Sequence, residues 1–201
     1  MRFRRSPVRE GAEGAPASSP VRWPMWRRSL SSLLKTDHLG CVIGGVLEGG
    51  EFLALFGALG AGKTALVRGI ATGLGARAEV VSSPTFVLLH EYRGRLPLAH
   101  IDLYRLNSSK EAESIGLGDY LSGQTVVAVE WADKAPEILP EDRLEIELRH
   151  SSVRSRSIEF RATGPQSSTL LARIRNSEAL PARASRSGRL RGRNLKGKRS
   201  S

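Results

Sequence analysis

The segment Gly57-Ala58-Leu59-Gly60-Ala61-Gly62-Lys63-Thr64 fits the pattern G-x-x-x-x-G-K-[ST]. It constrains the fold more than any other stretch of the chain. Glycines let the backbone curl so that successive N–H groups converge on phosphate oxygens. The positive end of the following helix favours the same anion. A lysine at position 63 reaches the β- and γ-phosphates, and the Thr64 hydroxyl is a hard oxygen donor suited to Mg²⁺. The pattern has this meaning only if it leaves a buried strand and opens a helix. Here Glu51 to Gly57 (EFLALFG) is a nearly all-apolar run of the kind a buried parallel strand needs. KTALVRGIATGLG follows, with Leu66, Ile70 and Leu74 at four-residue steps, Val67 and Ala71 beside them, and Gly75 at the end. A bound nucleoside triphosphate is the implication. The loop alone does not separate an ATPase from a kinase or a GTPase.

The rest of the middle supports an α/β domain over 33–163. Leu33 to Leu47 carries apolar residues at helical spacing, interrupted by Gly40, Gly44 and Gly45, with Thr36-Asp37 as a start signal. VVSSPTFVLLHEY and RLPLAHIDLYRL hold strand-like runs, the second ending at Asp102, and Thr125 to Trp131 (TVVAVEW) is a further buried-type strand. A short helix is expected around Lys110 to Tyr120. RLEIEL and SIEFRAT alternate apolar and polar residues, as an antiparallel pair near a sheet edge would. The expected fold is P-loop NTPase-like: a mixed, mainly parallel sheet flanked by helices.

The net charge of +11 suggests nucleic acid until its distribution is considered. Residues 1–30 hold seven Arg against two Glu, and residues 165–201 hold ten Lys or Arg against one Glu. Residues 31–164 hold 14 basic against 17 acidic residues, net −3. The basicity therefore sits at the ends. Segments 1–32 and 164–201 are expected to be disordered basic extensions. A start at Met25 and an Arg-rich transit peptide are the competing accounts of the first. For the second, a solvated tail competes with electrostatic contact to RNA. One cysteine, Cys41, makes an intrachain disulfide impossible and fits a reducing compartment. No apolar run reaches the roughly 18 residues of a membrane span.

Ligands in such sheets lie at the carboxyl ends of the strands. Two acids fall there. Glu130 closes TVVAVE and is the candidate Mg²⁺-site residue. Asp102 closes LAHID and is the candidate for positioning water. Lys63, Asp102 and Glu130 form the expected catalytic set, and Thr64 and Glu130 the expected metal set. Nucleotide contacts are expected from Gly57, Leu59, Gly60, Ala61, Gly62, Lys63, Thr64 and Ala65. Thr85, in a Ser-Pro loop, and Trp131 complete that set. Period-2 geometry would put Trp131 on the opposite face from Glu130. His90 and His100 lack metal-ligand spacing, and Cys41 reads as a small buried residue.

Taken together, GALGAGKT, SPTF at Ser83 to Phe86, HIDLYRL at His100 to Leu106 and VEWADK at Val129 to Lys134 resemble the bacterial TsaE family over about 36–150. The resemblance implies a small cytoplasmic ATPase that uses ATP and Mg²⁺ in tRNA threonylcarbamoyladenosine biosynthesis. It implies the TsaD–TsaB complex as partner and tRNA as an indirect one, with no membrane. It also implies that Glu130 is the acidic metal-site residue, that Asp102 and Trp131 are functionally important, and that Thr85 belongs to a switch-like loop. The family usually has Asp where this chain has Ala58. A P-loop kinase of small hydroxyl compounds and an RNA-binding module with a vestigial nucleotide site are the rival readings.

Overall fold

The computed structural model describes residues 22–77, 88–106, 111, 116–121, 123–152 and 155–179. Strands are β1 (Met25–Leu30), β2 (Phe52–Phe56), β3 (Leu89–Tyr92), β4 (Leu98–Asp102), β5 (Val126–Glu130), β6 (Leu144–His150) and β7 (Arg156–Ala162). Helices are α1 (Leu33–Val46), α2 (Lys63–Gly73), α3 (Leu117–Tyr120) and α4 (Pro165–Ala179). The strands form one seven-stranded sheet in the order β1-β7-β6-β2-β5-β4-β3. Its four central strands, β6, β2, β5 and β4, are parallel. β3 at one edge, and β7 and β1 at the other, run antiparallel to their neighbours. This is the α/β class and mixed sheet that the sequence implies, and β6–β7 is the expected antiparallel pair.

Period-2 geometry divides the core. Leu53, Leu55, Leu144, Ile146, Leu148, Ile158 and Phe160 face α1, α2 and α4. Phe52, Ala54, Ala99, Ile101, Val127 and Val129 face the turns after β4 and β5 and the short α3. β2 is apolar on both faces because both are covered.

The glycines that weaken α1 as a helix have a packing role. A Cβ on Gly40 would lie 2.3 Å from the Leu66 carbonyl oxygen, and one on Gly44 2.2 Å from that of Ile70. From the other helix, a Cβ on Gly69 would lie 2.0 Å from the Asp37 oxygen, and one on Gly73 2.3 Å from that of Cys41. The two helices thus meet backbone to backbone. α1 also starts earlier than Thr36-Asp37 suggests. Its cap is Ser32, whose hydroxyl accepts from the Lys35 N–H at 3.3 Å, while Thr36 is buried against α2 and the core.

The ordered body passes both boundaries expected at 33 and 163. β1 adds an edge strand paired with β7 from Met25↔Arg161 to Leu30↔Arg156, and Trp26 stacks on Phe160 at 5.3 Å. α4 buries Leu170, Leu171 and Ile174 against the core. Arg173 ties it down through Glu51, which also accepts from the Glu48 and Gly49 N–H groups. Segments 22–32 and 164–179 are therefore not the disordered extensions expected of them; segments 1–21 and 180–201 lie outside the described residues. Of the helix expected around Lys110 to Tyr120, the described helical residues are Glu111 and those of α3.

Asp142 secures the start of α4. Its carboxylate accepts from the Gln166 N–H at 2.7 Å and the Ser167 N–H at 2.9 Å. Burial pushes this carboxyl up, but the bonds from Ser167 and Gln166 outweigh it and hold it below the ordinary value. A depressed carboxyl stabilises the fold fully above its unfolded pKa of about 3.9, and the contribution is lost as pH falls through the folded value. Asp142→Ala should cost about 1 kcal/mol at pH 7, as loss of a helix cap does. Urea midpoints of wild type and variant should converge as the pH is taken well below 4.

Candidate functional site

The glycine-rich loop leaves the carboxyl end of β2; β5 lies next to β2 in the sheet and β4 beyond β5. Gly57 has φ 133°, and a Cβ there would lie 2.3 Å from the Leu148 carbonyl oxygen. Only glycine combines that conformation with that approach. Gly62, at φ 108°, is the residue before the first turn of α2. Between them the Ala61 N–H donates to the Ala58 oxygen at 3.2 Å, which closes the curl.

Lys63 is buried, and its Nζ donates to the Gly57 oxygen at 2.6 Å and the Ala58 oxygen at 3.1 Å. The same ammonium lies 3.7 Å from the centre of the Trp131 ring. Thr64 donates its hydroxyl hydrogen to Glu130 Oε2 at 3.1 Å. Glu130 and Asp102 are both buried and face each other in register across β5 and β4. Burial pushes the Lys63 ammonium below its ordinary value, while Glu130, Asp102 and Asp133 pull it back up. Two buried carboxylates beside one lysine leave an excess of negative charge, which is unfavourable to a polyphosphate alone. A divalent cation corrects that balance, and the Thr64 hydroxyl and Glu130 carboxylate are the oxygen donors Mg²⁺ prefers. Among the described residues no group of three or more His, Cys, Asp and Glu could hold a metal. Any cation here would therefore complete its shell with hydroxyl, water or ligand oxygens.

A cleft of about 340 Å³ opens over these groups. Leu59, Gly60, Gly62, Lys63, Thr64, Asp102, Glu130 and Trp131 of the expected set line it, joined by Tyr104. Gly57 stands behind, presenting its carbonyl to Lys63, and Ala61 is buried. Ala65 sits half-buried in the first turn of α2, outside that lining. Thr85 lies outside the described residues. Trp131 packs against the core on the face opposite Glu130, as period-2 geometry expects, yet it also lines the cleft. The strand ends at Glu130, and Trp131 has φ 58°, in the left-handed region. That reversal lets its ring lie over the Lys63 ammonium as well.

Four side chains around the cleft escape a reading by motif. The wholly buried His100 approaches Glu130 Oε1 with Nε2 at 2.9 Å. Its place two residues before Asp102 on one strand is a sequence signal that spacing rules for metal ligands ignore. Lys134 donates to the carbonyls of Tyr104 and of Leu106, the latter at 3.1 Å, while Tyr104 packs on Trp131 at 5.0 Å. The Leu103 N–H donates to the Glu130 backbone carbonyl at 3.1 Å. HIDLYRL and VEWADK are thus bound to each other in space. Arg156 is buried at the start of β7 and donates from Nε to the Ala61 oxygen at 3.1 Å, bracing the loop from the hairpin side.

Ala58 is exposed, and only its carbonyl takes part in the loop, receiving Lys63 and the Ala61 N–H. Ala58→Asp should therefore change nucleotide affinity by less than about twofold, the usual range for a surface substitution. Equilibrium binding to the two proteins checks this.

Residues 30–158 match the sequence model of the family described as threonylcarbamoyl adenosine biosynthesis protein TsaE. The tRNA threonylcarbamoyladenosine biosynthesis protein TsaE of Bacillus subtilis is 46% identical over 116 residues, covering 57% of this chain and 72% of the relative. The protein of the same name from Treponema pallidum is 45% identical over 114 residues, covering 57% and 84%. The crystal structure of Bacillus subtilis YdiB aligns with a TM-score of 0.67 at 31% identity, over 79% of this chain and 99% of that one.

Proposed function

The chain belongs to the TsaE family, and on that premise we propose that it binds and hydrolyses ATP with Mg²⁺ in support of threonylcarbamoyl modification of tRNA. The observation that carries the proposal is the Thr64–Glu130 hydrogen bond beside Lys63. It joins the loop hydroxyl and a strand-end carboxylate in one cleft. Bound there by Thr64 and Glu130, Mg²⁺ would neutralise charge on the β- and γ-phosphate oxygens.

The chain's own part is mostly positioning and electrostatics. The curled backbone offers N–H donors to phosphate. Lys63 exchanges the Gly57 and Ala58 carbonyls for phosphate oxygens and stabilises charge that develops as the terminal phosphoryl group leaves. Asp102 has one carboxylate oxygen engaged by the Tyr104 N–H at 2.9 Å, which fixes the group that would orient attacking water. Trp131 and Tyr104 cover the lysine and limit access of bulk solvent.

We assign this chemistry to the cytoplasm, with the TsaD–TsaB complex as partner. No helix among the described residues is long and apolar enough to cross a membrane. The test is release of free phosphate from ATP by this chain, with and without purified TsaD–TsaB. Slow release alone and a clear rise with the complex are expected. Phosphate transfer to a small acceptor would favour a kinase. Absence of both stimulation and complex formation would remove the partner from the proposal.

A further inference from the structure

Among the described residues, the His100–Glu130 pair is the one buried polar contact at the site with a loose end. Glu130 has two oxygens and both are engaged. Oε2 receives the Thr64 hydroxyl and Oε1 faces His100 Nε2 at 2.9 Å. An ionised carboxylate only accepts, so Nε2 carries the hydrogen of that bond. The imidazole is fully buried, yet its other nitrogen, Nδ1, has no hydrogen-bond partner among the described residues. A buried polar atom left unpaired lowers stability, and an apolar side chain of similar size would remove that defect. The apolar core therefore does not call for a histidine here; the Glu130 carboxylate does, since an apolar replacement would leave Oε1 without that donor. His100 and Asp102 lie two apart on β4, so both point toward α2, and His100 pairs in register with Ala128, two residues before Glu130 on β5.

We infer that His100 is a positioning residue for the cation site: by donating to Oε1 it fixes the rotation of the Glu130 carboxylate, so that Oε2 is presented beside the Thr64 hydroxyl. Without it the carboxylate turns freely about its last bond, or turns toward other donors in the cleft, and the two oxygen donors no longer share one orientation. Groups that orient a metal ligand from behind typically change metal affinity by ten- to a hundredfold when removed, roughly. The inference rests on the Mg²⁺-dependent nucleotide binding proposed above.

The experiment is equilibrium binding of a non-hydrolysable ATP analogue to the full chain, across a Mg²⁺ titration and in EDTA. The proteins are wild type, His100→Leu and His100→Gln. In His100→Leu, the Mg²⁺ concentration giving half of the tightening should rise about tenfold. Affinity in EDTA should stay within about twofold, because the backbone cradle and Lys63 are untouched. His100→Gln, which keeps a nitrogen donor at similar reach, should restore most of the Mg²⁺ response. If His100→Leu does not fold, His100→Asn replaces it, because its shorter amide cannot reach Oε1 as glutamine does. Asn must then lose the response that Gln keeps. A wild-type chain whose binding ignores Mg²⁺ overturns the cation site and the role of His100 together. A Mg²⁺-responsive wild type with an unshifted midpoint in the variant overturns the His100 role alone. Equal loss with and without Mg²⁺ also overturns it, since that marks a general packing defect.

Discussion

Replacing Lys63 with alanine is expected to reduce ATP turnover by about two to three orders of magnitude, the scale seen when a charge-stabilising donor is removed from a reaction site. Nucleotide affinity should fall as well. Among the described residues Lys63 is the one lysine lining the cleft, opposite two buried carboxylates. Without it, Glu130 and Asp102 present uncompensated negative charge to an incoming polyphosphate. The fold should survive. Burial already disfavours this ammonium, and the carbonyls of Gly57 and Ala58 that it leaves border a cleft that water enters. Circular dichroism and a urea midpoint near wild type would separate loss of function from loss of structure. Turnover within a few-fold of wild type would remove Lys63 from the mechanism.

The largest effect on stability is expected from the helix pair behind the loop. Gly69→Ala in α2 pits two rules against each other. Alanine improves helix propensity by about 1 kcal/mol. Its methyl, however, would sit 2.0 Å from the Asp37 carbonyl oxygen, with the Asp37 carbon and the Gly40 Cα at 2.9 Å. Overpacking costs about 1–3 kcal/mol even where side chains can yield. Here only backbone is in the way, so packing should win and the variant should lose at least about 2 kcal/mol. Gly45 is the internal control. It lies in α1, yet a Cβ there meets nothing within 4 Å. Gly45→Ala should therefore stabilise by about 0.5–1 kcal/mol. Chemical denaturation of both variants decides the matter. Equal shifts of the same sign would mean that the close approach is not rigid.

These glycines also show what the sequence could and could not tell. The local pattern registers Gly40 and Gly44 as weaknesses in a helix, because propensity counts only neighbours along the chain. Their reason lies across space, in α2. The parallel core was more legible, since strands covered on both faces must be apolar throughout, and FLALF is, as is β5 up to its final acid. The acids that end β4 and β5 were legible for the same reason, as abrupt polar residues after apolar runs. β1 and α4 were not. MWRRSL and PQSSTLLARIRNSEA lie in basic surroundings, and average composition hides the few residues that anchor each: Trp26 and Leu30 in one, Leu170, Leu171 and Ile174 in the other. Strand alternation gave Trp131 the face it packs on, but nothing local marks a tryptophan for the left-handed turn that also brings its ring over Lys63.

The contact between α1 and α2 has a genetic consequence. A clash between two side chains can be relieved from either side, because the opposite residue can shrink. At Gly40, Gly44, Gly69 and Gly73 the nearest atoms across the interface are all backbone. No codon change shortens a carbonyl. A suppressor search begun from Gly69→Ala should thus return reversions to glycine, or stabilising changes far from the interface, but no compensating change at Asp37 or Gly40. The helix that carries Lys63 and Thr64 is held by atoms that selection cannot exchange, and its seat is fixed by what is missing from four residues.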